Sequence, residues 1–116
     1  MASFNKVIIA GNITRPPELT YTLKGTALCK FGVAVNRTWK TDSGEKKEAV
    51  SFFDCTAWSG TGETIIKHLG KGDPILIDGR LEQETWTDKE TDEKRSKVTI
   101  TVESFSFIGS KKEVAA

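Results

Sequence analysis

The sequence predicts an all-β fold, a five-stranded Greek-key barrel with one short helix between its third and fourth strands. Segments with the two-residue periodicity of β-strands recur along most of the 116 residues. A single stretch, residues 60–69, instead has apolar residues at helical spacing. Long polar segments follow the second and fourth strands. The helix after the third strand is the feature that selects among small β-barrels.

The first strand is predicted over residues 5–13. It ends before Pro16 and Pro17, since proline cannot donate a hydrogen bond to a sheet. One face carries Val7, Ile9, Gly11 and Ile13, and the other carries Lys6, Ile8, Ala10 and Asn12. Both faces are largely apolar, so we expect one to line the barrel interior and the other to pack against a second subunit.

A second long strand is predicted over residues 27–36, after a short extended piece at 19–22 and a turn at Lys24-Gly25. Alternation places an apolar set inward: Ala27, Cys29, Phe31, Val33 and Val35. The outward side is small near its middle, at Gly32 and Ala34, which permits a close approach to the backbone or a sharp bend. We expect residues 37–47 to form a polar loop containing Trp39.

The third strand, residues 49–58, carries the main functional signal. Alternation turns Phe53, Cys55 and Ala57 toward the core and leaves Phe52, Asp54, Thr56 and Trp58 on the opposite face. Two large rings beside a carboxylate are unusual on a buried face, because an unpaired buried carboxylate is costly. An exposed face with such rings indicates a partner. Nucleic-acid bases are flat partners that stack on rings with little regard to sequence.

The second half of the chain completes the barrel. Gly70 and Gly72 end the helix, and the fourth strand covers residues 74–84, with Ile75, Ile77, Gly79 and Leu81 inward. A charged hairpin with Trp86 at its base leads to the last strand, 97–108, with Val98, Ile100 and Val102 inward. This order is that of an OB-fold barrel, whereas strand propensity alone also allows a jelly-roll fragment or an SH3-like barrel. We expect one domain over residues 1–108 and a short polar tail over 109–116.

Composition limits the function classes. Seventeen basic and 16 acidic residues give a net charge of +1, unlike the basic domain of many nucleic-acid binders, although stacking supplies part of the affinity. Cys29 and Cys55 fall on core faces without zinc-type spacing, which predicts buried thiols in a reducing, cytosolic compartment. No apolar run is long enough to span a bilayer. Neither a cofactor nor a metal is expected.

Several short motifs recur in a recognisable order along the chain. They are Asn5-Lys6-Val7-Ile8 with Gly11-Asn12, Arg15 to Glu18, Tyr21-Thr22, Gly25, Trp39, Gly70 to Gly72, Asp78-Gly79-Arg80-Leu81 and Trp86-Thr87-Asp88. Their order and spacing resemble the bacterial single-stranded DNA-binding protein family over roughly residues 3–108. The resemblance implies a homotetramer of OB folds, a dimer of dimers, that wraps single-stranded DNA with little sequence preference. It implies a role in replication, recombination and repair in the bacterial cytoplasm, at the nucleoid or in a phage-infected cell.

The resemblance also implies which residues bind DNA. The family's stacking aromatics match Trp39, Phe52, Trp58 and Trp86. The candidate phosphate ligands are the cations Arg15, Arg37, Lys40, Lys71, Arg80, Lys89 and Arg95. Several members have basic residues where this chain has Asp54, Glu82 and Glu84, which predicts weaker and less salt-sensitive binding.

Two further departures from the family concern assembly. Phe53 occupies a position where a histidine at a subunit contact is common. The family's flexible linker and acidic C-terminal tip, which recruit repair and replication enzymes, have no counterpart in the sequence. Either the chain is truncated or this member lacks the recruitment function.

Two other classes of function are alternatives to DNA binding. The aromatic face could bind a protein partner, as in primosome-type accessory modules, and such a module should leave tryptophan fluorescence unquenched by oligonucleotide. An enzyme is disfavoured because a lone histidine, His68, and the lack of a glycine-rich phosphate loop leave no assembled catalytic group.

Overall fold

The computed structural model describes residues 1–109. Its strands are β1 (Val7–Ile13), β2 (Glu18–Tyr21), β3 (Ala27–Lys40), β4 (Lys46–Trp58), β5 (Pro74–Thr87) and β6 (Lys94–Phe107), and the helix α1 (Ser59–His68) lies between β4 and β5. From residue 110 onward, the polar tail predicted for residues 109–116 lies outside the described residues. No helix within residues 1–109 is long and apolar enough to cross a membrane.

Five strands close into a barrel in the order β1-β5-β6-β4-β3, and pairing of β1 with β3 completes the ring. β4 and β6 are parallel neighbours, and the other adjacent pairs are antiparallel. The short β2 pairs with β3 outside this ring. The ring order and the helix after the third of its strands confirm the predicted OB-fold barrel.

The barrel interior is filled by the inward faces of its strands. The side chains of Phe31, Val33, Ile75 and Ile77 are fully buried. α1 contributes Ile65 to the same core cluster, which is the role predicted from its apolar stripe. Its observed start and end each differ by one residue from the predicted range 60–69.

The seam between β1 and β3 needs a residue without a side chain at Gly11. A Cβ at this position would collide with the carbonyl oxygen of Ala34 and the side chain of Val33. Asn12 and Ile13 pair with Ala34 and Val33 there. The close approach of the two backbones therefore depends on glycine.

Two β-hairpins are longer than the sequence predicts. The expected polar loop 37–47 is wrong for most of its length, because β3 runs to Lys40 and β4 begins at Lys46. The predicted charged hairpin is likewise mostly strand, since β5 reaches Thr87 and β6 begins at Lys94. Charged residues are compatible with strand structure here because these segments extend past the barrel into solvent.

Three predictions of buried side chains are wrong. Phe53, Leu81 and Val98 were predicted to face the core, but they are 37%, 48% and 60% exposed. They lie on the side of their strands that continues the inner face. At these positions one neighbouring strand no longer pairs, because β1 pairs with β5 no further than Gly79 and β4 pairs with β6 only at Cys55 and Thr56. Alternation therefore no longer implies burial.

The first strand is also shorter than predicted, and begins at Val7 rather than residue 5. Asn5 contacts β5 through its side chain instead: its Nδ2 donates to the carbonyl oxygen of Leu81, and its Oδ1 accepts from the amide of the same residue. The Asn5 side chain thus bonds to both backbone groups of Leu81 with which a longer β1 would pair.

Candidate nucleic-acid interface

One continuous surface runs across β3, β4, β6 and β5. Residues directly opposite each other on paired strands share a side of the sheet. Asp54 is opposite Gly32, and Thr56 is opposite Thr101. Thr101 is in turn opposite Arg80. The outward side chains of all four strands therefore lie on one side, termed the outer face below.

Three of the four predicted stacking rings stand on the outer face. Phe52 and Trp58 are in phase with Asp54 along β4, and Trp86 is in phase with Arg80 along β5. Phe52, Trp58 and Trp86 are 73%, 42% and 46% exposed. Each ring thus has a free surface on which a base can stack.

Trp58 lines a cleft of about 360 Å³ on the outer face. Arg80 and Glu82 of β5 and the threonines at 99 and 101 of β6 form other parts of its wall. The Thr101 hydroxyl donates to Oε1 of Glu82 at 3.2 Å. The ring is therefore next to hydroxyl and carboxylate groups that can contact the polar edge of a base.

Trp86 lines a second and larger cleft, of about 510 Å³, near the end of the β5–β6 hairpin. Arg95 is directly opposite Trp86 and lines the same cleft. Its guanidinium lies 3.5 Å from a carboxylate oxygen of Asp88 and 3.7 Å from one of Glu93. A predicted stacking ring and a predicted phosphate ligand are therefore neighbours at this end of the outer face.

Trp39 lies on the other side of the β3–β4 hairpin. Along β3 it is in phase with Val33, which faces the core, and not with Gly32. The Arg37 guanidinium lies 4.9 Å from the centre of the Trp39 ring, within the range of a cation–π contact. The structure therefore brings Phe52, Trp58 and Trp86 to one face and leaves Trp39 and Arg37 on the reverse of the hairpin.

The remaining predicted phosphate ligands differ in their surroundings. Arg80 contacts Glu82 and Glu103, each at 3.3 Å, and Arg15 contacts Asp54 at 3.6 Å. These arginines already have carboxylate partners within the protein. Three predicted ligands form no ion pair within residues 1–109, and they lie at the end of β3 or in the turns after α1 and β5: Lys40, Lys71 and Lys89.

The structure adds two cations that sequence reasoning left out. Lys30 and Lys97 line a small cleft of about 90 Å³ together with Arg15 and Asp54. The alternation of β3 already placed Lys30 on the outward side, so this signal was present in the sequence. The position of Lys97 beside Asp54 follows from the parallel neighbours β4 and β6, which no local pattern reveals.

Asp54 is the most strongly paired carboxylate of this cleft. Lys97 donates from Nζ to its Oδ2 at 3.0 Å, and the Arg15 guanidinium lies near its Oδ1. These contacts, with the hydrogen bond from Lys97 as the largest, lower the pKa of Asp54 below its ordinary value. The carboxylate is therefore ionised at neutral pH.

The two cysteines lie in the core, and the single histidine lies away from the outer face. Cys29 and Cys55 are buried free thiols, as predicted. His68 contacts Phe107 edge-to-face, with ring centres 6.0 Å apart. Within residues 1–109, no cluster of three or more histidine, cysteine, aspartate or glutamate side chains could hold a metal ion.

The family model for the single-strand binding protein family matches residues 4–108. The chain belongs to this family. The match covers the barrel and all four predicted stacking rings, and it agrees with the resemblance described from the sequence motifs.

Named relatives of this family support the assignment. The chain is 44% identical over 108 residues to the single-stranded DNA-binding protein of Wolinella succinogenes, covering 93% of this chain and 66% of that protein. It is 44% identical over 108 residues to its counterpart in Helicobacter hepaticus, of which it covers 63%. The chain thus spans slightly less than two thirds of the length of these relatives.

A solved structure shares the fold. A deletion mutant of the single-stranded DNA binding protein from Thermus aquaticus superimposes with a TM-score of 0.79 at 26% identity, over 90% of this chain and 50% of that chain.

Proposed function

We propose that this protein binds single-stranded DNA by stacking bases on exposed rings and pairing backbone phosphates with nearby cations. The proposed stacking residues are Trp39, Phe52, Trp58 and Trp86. The proposed phosphate ligands are Arg15, Arg37, Lys40, Lys71, Arg80, Lys89 and Arg95. Because every base has a flat face, binding would be largely independent of sequence. Exposed strands would thereby be covered during replication, recombination and repair.

The observation that carries this proposal is the outer face itself. It holds three exposed rings on β4 and β5, two strands of one sheet with β6 between them, and cations lie between and beside the rings. A protein partner would also accept exposed rings, but the names of the relatives refer to binding of single-stranded DNA. The alternative of a protein-interaction module is therefore not favoured.

We further propose that the protein acts by binding alone, as a homotetramer, in the bacterial cytoplasm at the nucleoid or in a phage-infected cell. The family description names binding and no reaction, and the relatives compared are bacterial. An exposed apolar side chain on β1, Ile8, at 62% exposure, supports association between subunits.

Titration with oligothymidine in low-salt buffer, followed by quenching of the three tryptophans, tests the proposal. Each stacked base contributes about 1–3 kcal/mol, so Phe52→Ala and Trp39→Ala should each weaken binding about tenfold. Phe4→Ala is a matched control, since Phe4 is exposed but lies outside the four strands, and it should change the affinity by less than about twofold.

The outcomes separate the function from its residues. If the wild-type protein leaves oligothymidine unbound and its fluorescence unchanged, DNA binding is wrong. If the wild type binds but Phe52→Ala binds equally well, Phe52 is not part of the site.

A further inference from the structure

We propose that Arg15, Lys30 and Lys97 form a subsite for one backbone phosphate, and that Asp54 is the internal anion which this phosphate displaces. The proposal rests on the proposed function, because it assumes a bound single strand. It assigns a binding role to two lysines outside the predicted ligand set. It also gives Asp54 a positioning role on the outer face.

The subsite brings together residues from separate parts of the chain. Arg15 follows β1 and crosses β3 at Gly32, where an added Cβ would lie 2.5 Å from its Nη1. Since Gly32 is opposite Asp54, this crossing carries the guanidinium to the carboxylate. Lys97 reaches the same carboxylate from β6 on the other side of β4.

The two oxygens of Asp54 each face a different cation. Oδ1 lies 3.6 Å from Arg15 Nη2, and Oδ2 lies 3.0 Å from Lys97 Nζ. A phosphodiester also presents two charged oxygens, and charge-assisted contacts to arginine and lysine are the usual way to bind them. The carboxylate therefore occupies a position suited to a backbone phosphate.

Lys30 gives a phosphate an advantage over the carboxylate. It is exposed, lines the same cleft and forms no ion pair within the described part of the chain. A phosphate in the cleft would gain this third cation, whereas Asp54 contacts only two. The Asp54 side chain is 49% exposed, so it can turn into solvent, and ion pairs this exposed are weak.

Removing the carboxylate should therefore strengthen DNA binding and its salt dependence. Arg15 and Lys97 together with Asp54 carry one net positive charge, and without the carboxylate they carry two. In the wild type, the displaced carboxylate takes up a counterion as the phosphate releases one, whereas without the carboxylate the release is uncompensated, which steepens the slope of log affinity against log salt by about 0.7 for a single strand. We expect Asp54→Asn to show this steeper slope and a tighter complex with oligothymidine at low salt.

Glu63→Gln provides the matched control. Glu63 is exposed on α1, outside the four strands of the outer face, and its substitution removes the same charge. We expect an almost unchanged salt slope for Glu63→Gln. Equal slopes in the two variants would overturn the role of Asp54, since the effect would then be one of net charge. Asp54→Glu, which restores the carboxylate, should return the slope toward that of the wild type.

A second pair of variants tests the subsite directly. Lys30→Gln should weaken binding and flatten the salt slope by about 0.7, whereas Lys67→Gln, an exposed position on α1, should leave both unchanged. If Lys30→Gln binds with the affinity and the salt slope of the wild type, Lys30 is not part of the subsite. If the wild-type protein does not bind oligothymidine, the proposed function itself is wrong. Failure of the subsite and failure of the proposed function are therefore distinguishable.

Discussion

At the scale of single residues, we predict that the two thiols in the barrel core are unreactive. Cys29 and Cys55 are 0% and 1% exposed. Burial, with a contribution from the nearby Asp54 carboxylate, raises the pKa of Cys55 to about 12. Because the thiolate is the reactive form, we expect no rapid reaction of either thiol with an aromatic disulfide reagent at pH 8. Both should react after denaturation, and a fast-reacting thiol in the native protein would contradict this burial.

The candidate site was predictable from the sequence where its residues are close along one strand. Phe52, Asp54 and Trp58 share a face of β4 through simple alternation. By contrast, the contact of Lys97 with Asp54 depends on the parallel pairing of β4 with β6. Sequence periodicity assigns a side chain to a face but does not identify the neighbouring strand, so this cation was left out.

The closure of the barrel gives a prediction at the scale of elements. Gly11→Ala places a methyl group against the β3 backbone at the seam, and such overpacking typically costs about 1–3 kcal/mol. Urea unfolding should therefore show a lower midpoint for this variant. Gly60→Ala is the matched control, because a Cβ there meets no atom within 4 Å. It lies in α1, where alanine is favoured by about 0.5–1 kcal/mol, so its midpoint should be unchanged or higher.

The strand predictions succeeded inside the barrel and failed beyond it for one physical reason. Phe31 and Ile77 are buried because a strand on the opposite wall covers them, which is what alternation assumes. Leu81 and Val98 have the same phase, but in their part of the β5–β6 hairpin neither β1 nor β4 pairs with the two strands any longer. The length of a hairpin is set by pairing between its two strands. The charged residues of the β5–β6 hairpin do not indicate how far that pairing continues.

The distribution of charge matters at the scale of the whole molecule. The net charge of the chain is +1. On the outer face, however, each of three cations forms an ion pair with a carboxylate: Arg15, Arg80 and Lys97. Binding of a single strand must replace such internal pairs with phosphate contacts. The sequence-based prediction of weak salt dependence remains a prediction, and these ion pairs give it a structural mechanism.

Assembly gives the last prediction, at the free face of β1. Ile8 is exposed and stands opposite Asp78 on β5. The Asp78 carboxylate already pairs with Lys6, but in an isolated chain Ile8→Lys should be tolerated because the position is exposed and the new ammonium group can reach solvent. In a subunit interface the same charge would be buried against an apolar surface, which is costly.

We therefore expect light scattering to show a tetramer for the wild type and a smaller species for Ile8→Lys, with unchanged circular dichroism. Leu23→Lys is the control, because Leu23 is fully exposed between β2 and β3, and it should keep the wild-type mass. An equal mass for wild type and Ile8→Lys would exclude this face of β1 from the interface.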